Sequence, residues 1–144
     1  RRRETAMKPA LQALLIAPDH RMRVDILYGD KAITIREGHR DYKPGLVMLC
    51  CHLVPWAVQA EITDVRHCLL REVTKEEYEA NGFHSQEDLL AGMRRFYKTM
   101  TIDSPVTVIR WKNVAGFLAE SDIRFLYRKK PNKLYEVIEH IETK

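Results

Sequence analysis

Tyr28-Gly29-Asp30-Lys31-Ala32-Ile33-Thr34-Ile35-Arg36-Glu37 is the stretch on which the fold turns. Gly29 is the residue expected just past a helix C-terminus, where the backbone needs a positive φ and a Cβ would clash. Alternation then begins. Ile33 and Ile35 share one face of a strand, and Thr34 and Arg36 share the other. An ammonium at the strand mouth, a hydroxyl on the strand and a guanidinium two residues on are the groups that recognise an anion or a carbonyl oxygen. The plainer alternative is a half-buried strand whose polar face meets water.

Working outward, Asp19 is placed to cap a helix from His20 to Tyr28 with Met22, Ile26 and Leu27 on one face. Leu11 to Ala17, ending before Pro18, reads as a strand ahead of it. Lys43-Pro44-Gly45-Leu46 has the residues of a type II turn. Leu46 to His52, Trp56 to Ile62 and Asp64 to Val73 read as strands. Thr74-Lys75-Glu76-Glu77 has capping-box spacing, and Ser85-Gln86-Glu87-Asp88 is a second, weaker box opening a helix to Tyr97. Asp103-Ser104-Pro105 breaks the chain, and Val106 to Lys112 alternates as a strand. Leu134, Val137, Ile138 and Ile141 fall at i, i+3, i+4 and i+7, which predicts an amphipathic helix over 134–141. This order predicts an α+β fold with a mostly antiparallel sheet. Its parts are a tail or remnant over 1–10, a domain over 11–114 and a C-terminal extension over 115–144.

The chain has 144 residues, enough for one domain with its own core, and 45% hydrophobic with 31% charged residues is ordinary for a globular protein. The apolar run from Gly45 to Ala57 is broken by His52 and Pro55 and is too short for a membrane helix. Arg1-Arg2-Arg3 is followed by polar residues, not by the apolar core of a secretion signal. Cys50, Cys51 and Cys68 are odd in number and lack C-x-x-C spacing, which predicts reduced thiols in a cytoplasmic protein with no metal site and no cofactor. The net charge is +4. Arg1–Arg3 and Arg128–Lys130 account for more than all of it, leaving a slightly acidic remainder, so any polyanion steering would be local.

Gly29-x-Lys31-x-x-Thr34-x-Arg36, set between a helix and a strand, resembles the G-x-K-x-x-T-x-R signature of the activating-signal-cointegrator homology (ASCH) family, within the PUA-like superfamily. The likeness runs from about Leu11 to Lys112. It implies a small β-barrel flanked by helices, with the motif on a cleft floor and RNA or a nucleotide as ligand. One branch of the family hydrolyses the acetyl amide of acetylated cytidine with a lysine, a threonine and a glutamate. Lys31 and Thr34 match the first two, Gly82 stands at the place of the third, and Glu79 and Glu87 lie near it. Leu46 stands where many members carry an acid.

On this reading Gly29, Lys31, Thr34, Arg36, Arg40, Lys43, Arg94 and Arg95 are candidates for ligand contact. Trp56, Tyr42 and Trp111 are candidate stacking platforms, each of a type more often found in a core. Lys31, Thr34 and, less well placed, Glu79 are the catalytic candidates. Three readings stand open: a binding module for RNA or a nucleotide, an amidohydrolase on acetylcytidine (with ribonuclease action a weaker variant), and an adaptor that meets a protein partner or a second copy through the 134–141 helix.

Overall fold

In the computed structural model, Asp19 opens the first helix as its position indicates, its side chain accepting from Met22 N–H at 2.8 Å. The structure describes residues 12–16 and 19–115, and the backbone alone of 116–117, 123–129 and 135–142. In chain order the elements are β1 (Gln12–Leu15), α1 (His20–Tyr28), β2 (Ile33–Glu37), β3 (Gly45–Cys51) and β4 (Trp56–Leu69). There follow α2 (Lys75–Ala80), α3 (Gln86–Arg94), β5 (Pro105–Phe117), β6 (Ile123–Lys129) and β7 (Tyr135–Glu142).

Five strands form one curled sheet in the order β1-β3-β4-β5-β2, an open half-barrel. Only the β1–β3 pairing is parallel; β3–β4, β4–β5 and β5–β2 are antiparallel. The fold is therefore α+β with a mostly antiparallel sheet, as the pattern predicts. α1 leads from one edge strand to the other, so β1 and β2 are consecutive strands in the chain but the two margins of the sheet.

The apolar side chains gather in two groups. Leu14, Ile26, Leu27, Val47, Leu49, Val58 and Ile62 pack α1 against β1, β3 and β4. Ile33, Ile35, Leu70, Leu89, Met93, Val106 and Val108 pack α3 against β2 and β5. Each fully buried Leu or Ile contributes about 1.5–3 kcal/mol, so both groups hold the sheet's curl. Trp56 is only 4% exposed and belongs to the first group, so its faces are packed and not offered to a base. Trp111 is buried in the same group, and Tyr42 is tied by its hydroxyl to Ala13 O at 2.9 Å.

Three stretches differ from the sequence reading. Trp56 to Val73 holds one long strand and a 3₁₀ turn, Leu70–Glu72, where two strands are predicted. Register shifts near Gln59 and Ile62 absorb the interruption that the letters suggest. α3 stops at Arg94, short of the predicted Tyr97, leaving Phe96 and Tyr97 after its end. The helix predicted over 134–141 is replaced by a strand, β7, paired antiparallel with β6. Val137, Ile138 and Ile141 are β-branched and suit a strand, and β6 supplies the backbone partner that a helix would not need. The adaptor reading loses its helix with that change. Leu11 and the tail over 1–10 lie outside the described residues, as do 17–18, 118–122, 130–134 and 143–144. No helix among the described residues is long and apolar enough to cross a membrane.

Candidate functional site

Gly29 takes φ 85° at the end of α1, and its N–H turns back onto the carbonyls of Asp25 and Ile26. The Asp25 carbonyl also accepts from Asp30 N–H at 2.8 Å and Lys31 N–H at 3.1 Å. That knot fixes where Lys31 leaves the helix end. Trp111 N–H then bonds Ala32 O at 3.1 Å, and the β5 ladder begins at Ile33 opposite Arg110. β2 is thus held at its start by a helix cap and along its length by a long partner strand.

Ile33 and Ile35 turn into the second core group, and Thr34 on the opposite face is only 6% exposed. The polar face of β2 opens into a cavity of about 360 Å³, which Ile35 also lines. Lys31, Thr34 and Arg36 all line it, together with Leu15 and Ile16 beside β1, Met22 of α1, His52, Asn81, Phe83, and Met93, Phe96 and Tyr97 from α3 and its following turn. The cavity sits in the seam between the two core groups, where the two sheet margins approach across the helices. Its size is that of a small-molecule site.

Inside, Lys31 Nζ donates to Asn81 Oδ1 at 2.7 Å and to Ile33 O at 2.8 Å. Arg36 Nε donates to Thr34 Oγ1 at 3.2 Å. These acceptors are neutral oxygens, and no Asp or Glu is among the described residues lining the cavity. Burial lowers the Lys31 amine from 10.5 to about 8; the nearby Arg36 charge pushes the same way, and Asp25 opposes it in part. Burial likewise draws Arg36 below its ordinary value, against Tyr97 and Tyr42, which favour its charge.

The remaining candidates do not join this group. Gly29 acts through the backbone. Arg40 is exposed and bonds Glu37 O; Lys43 is exposed and pairs with Asp41 at 2.8 Å. Arg94 bonds Met100 O at 2.9 Å, and Arg95 is the exposed C-cap of α3. Glu79 and Glu87 are exposed on α2 and α3 and line nothing here, so the predicted acid is not supplied by either. Glu77 is buried but engaged: it pairs with Arg66 and closes the capping box with Thr74. Gly82, where the ASCH resemblance calls for a glutamate, takes φ 92° in the turn after α2, a conformation a glutamate side chain disfavours.

Asn81 is the residue the sequence reading missed. Only folding places its amide against Lys31, fifty positions away. Phe83, Phe96, Tyr97, Leu15 and His52 were missed as lining residues for the same reason. Among the described residues no cluster of His, Cys, Asp or Glu is arranged to hold a metal ion, and Cys50, Cys51 and Cys68 are free thiols. No family model, curated protein or solved structure matches the chain.

Proposed function

We propose that the chain is an RNA- or nucleotide-binding domain of the ASCH, PUA-like kind, with its ligand seated in the β2 cavity. The observation that carries this reading is the convergence of Lys31, Thr34 and Arg36 on one cavity with aromatic and apolar walls and no carboxylate among the described residues that line it. Two donors of positive charge suit a phosphate or a base carbonyl, Thr34 offers a hydroxyl, and Phe83, Phe96 and Tyr97 offer surfaces for a ring. The test is a calorimetric titration of the folded protein with nucleotides and a short single-stranded RNA at low and moderate salt. Binding that weakens with salt, and falls about tenfold or more in Lys31→Ala, is expected. No heat and no shift with any of these ligands would remove the reading.

A second reading is favoured by one observation, the lowering of the Lys31 amine to about 8. A base of that strength, working on the Thr34 hydroxyl, is what an amidohydrolase on acetylcytidine would use. In the structure Lys31 is turned to Asn81 and Ile33, and Arg36 occupies the Thr34 oxygen, so binding is the better supported of the two. Release of cytidine and acetate by wild type, absent in Thr34→Ala, would reverse that order.

A further inference from the structure

The cavity has an unusual polarity for a nucleic-acid site. Its cations are inside, on β2, and its mouth carries exposed apolar side chains: Leu15 is 55% and Phe96 73% exposed. Lys31 spends two N–H groups on Asn81 Oδ1 and Ile33 O, leaving its third N–H for a guest. Arg36 spends Nε on Thr34 and bonds Tyr97 as well, and with five N–H donors its guanidinium still has donors for a guest. The nearest carboxylate to Lys31 in charge terms, Asp25, pairs with Arg21 at 3.4 Å and is not a lining residue. Two half-buried cations sharing one cavity with neutral partners are electrostatically incomplete, and an anionic group is the guest that completes them. The walls above them suit an aromatic or apolar body.

From this we infer that the cavity takes a terminal phosphate monoester head-first, with the nucleoside it is attached to resting against Phe83, Phe96 and Tyr97. The inference rests on the nucleotide-binding reading above and narrows it. An internal phosphodiester is disfavoured by the lining: a strand that dipped its phosphate to β2 would carry its flanking phosphates past exposed Leu15 and Phe96. It would also need exposed cations on both sides. Arg40, Lys43, Arg94 and Arg95, the candidates for that role, lie outside the cavity, and three of them are bonded to the protein. A monoester has one attachment and up to two negative charges, which matches a cavity with two cations.

The source of the monoester is either a free mononucleotide or the phosphorylated end of an RNA, and the chemistry at the floor is the same for both. Asn81 takes part as the neutral partner of Lys31. A carboxylate in its place would neutralise the amine and repel the guest.

The experiment is a set of titrations with adenosine and uridine 5′-monophosphates, the corresponding nucleosides, and a short RNA with and without a 5′-phosphate. Each is repeated for wild type, Lys31→Met, Arg36→Met, Asn81→Asp and, as a charge control, exposed Lys75→Met. Circular dichroism confirms that each variant is folded. The monophosphate is expected to bind about tenfold or more tightly than its nucleoside. Lys31→Met, Arg36→Met and Asn81→Asp should shrink that ratio, and Lys75→Met should leave it unchanged. If the 5′-phosphorylated RNA outbinds the mononucleotide, the guest is an RNA end; if it binds more weakly, the guest is the free nucleotide. Equal binding of nucleoside and monophosphate overturns the head-first inference while leaving nucleotide binding in place. Binding of none of these ligands by wild type overturns nucleotide binding itself. If Lys31→Met and Arg36→Met both keep the full ratio, the phosphate sits elsewhere and the inference is wrong.

Discussion

Lys31 is the residue at which burial, charge and the proposed function meet, and its titration gives a signed prediction. Its amine is lowered to about 8 in the fold, against 10.5 in an ordinary chain. Between those values the unfolded chain holds the proton and the folded chain does not, so stability rises with pH across that window. Below about 8 both states are protonated and the folded state carries the whole cost of a buried ammonium. Denaturant unfolding followed from pH 7 to 10 should show this rise in wild type and a flatter profile in Lys31→Met. Ligand affinity runs the other way. A phosphate monoester gains its second charge near pH 6, and Lys31 loses its charge above about 8, so binding should be strongest between. A ligand affinity that kept increasing well past pH 9 would mean that the ammonium is not a partner.

Gly92 gives a second prediction at the same scale. A Cβ there would meet the Phe83 ring at 2.2 and 2.5 Å, so the ring must move. Because Phe83 lines the cavity, Gly92→Ala should cost about 1–3 kcal/mol in overpacking, offset by the about 1 kcal/mol that alanine gains over glycine within α3, and should also alter ligand affinity. Thermal unfolding beside one titration checks both. Unchanged stability with unchanged affinity would show that the ring relocates freely.

Among the elements, α2 is short and depends on its ends. Thr74 Oγ1 accepts from Glu77 N–H at 3.2 Å, and Glu77 Oε1 accepts from Thr74 N–H at 2.9 Å. Burial opposes ionisation of Glu77, yet hydrogen bonds from Arg66 and Thr74 outweigh it and hold the carboxyl below its usual range. Thr74→Ala should cost about 1 kcal/mol, seen as a lower denaturant midpoint. Because α2 leads directly into Asn81, the same change should loosen the Asn81–Lys31 contact and weaken ligand binding modestly. The caps were legible in the sequence: Asp19, Gly29, Thr74 and Ser85 all do what their letters say, since a cap is a contact within four residues. β7 was not legible. Leu134, Val137, Ile138 and Ile141 fit the helical period, but Tyr135, Val137 and Ile141 fit the period of two as well, and only the pairing with β6 decides between them.

For the whole molecule, the arrangement that matters is a sheet that curls without closing. β1 and β2 are its two margins, and the space between them, roofed by α1, α3 and the turn after α2, is the candidate site. A ligand held by two inward cations should show a shallow dependence of affinity on salt. A strand laid across surface cations loses affinity steeply, in proportion to the phosphates it contacts. Titration of the mononucleotide from 50 to 200 mM salt is therefore expected to lower its affinity by about one phosphate contact's worth at most, since a single phosphate has no condensed counterions to release. A much steeper slope would point to Arg40, Arg94 and Arg95 as further partners.

What the sequence determined by itself was local: where α1 begins and ends, the strand after Gly29, and the alternation that sends Ile33 and Ile35 one way and Thr34 and Arg36 the other. These follow from φ preferences, capping and side-chain period, which act over a few residues. Tertiary structure decided that Thr34 and Arg36 face a cavity, that Trp56 is core, that Asn81 and not a carboxylate meets Lys31, and that 135–142 is a strand. Each of those depends on a partner far along the chain, and the distance between partners is set by how the sheet curls, which no short window of residues encodes.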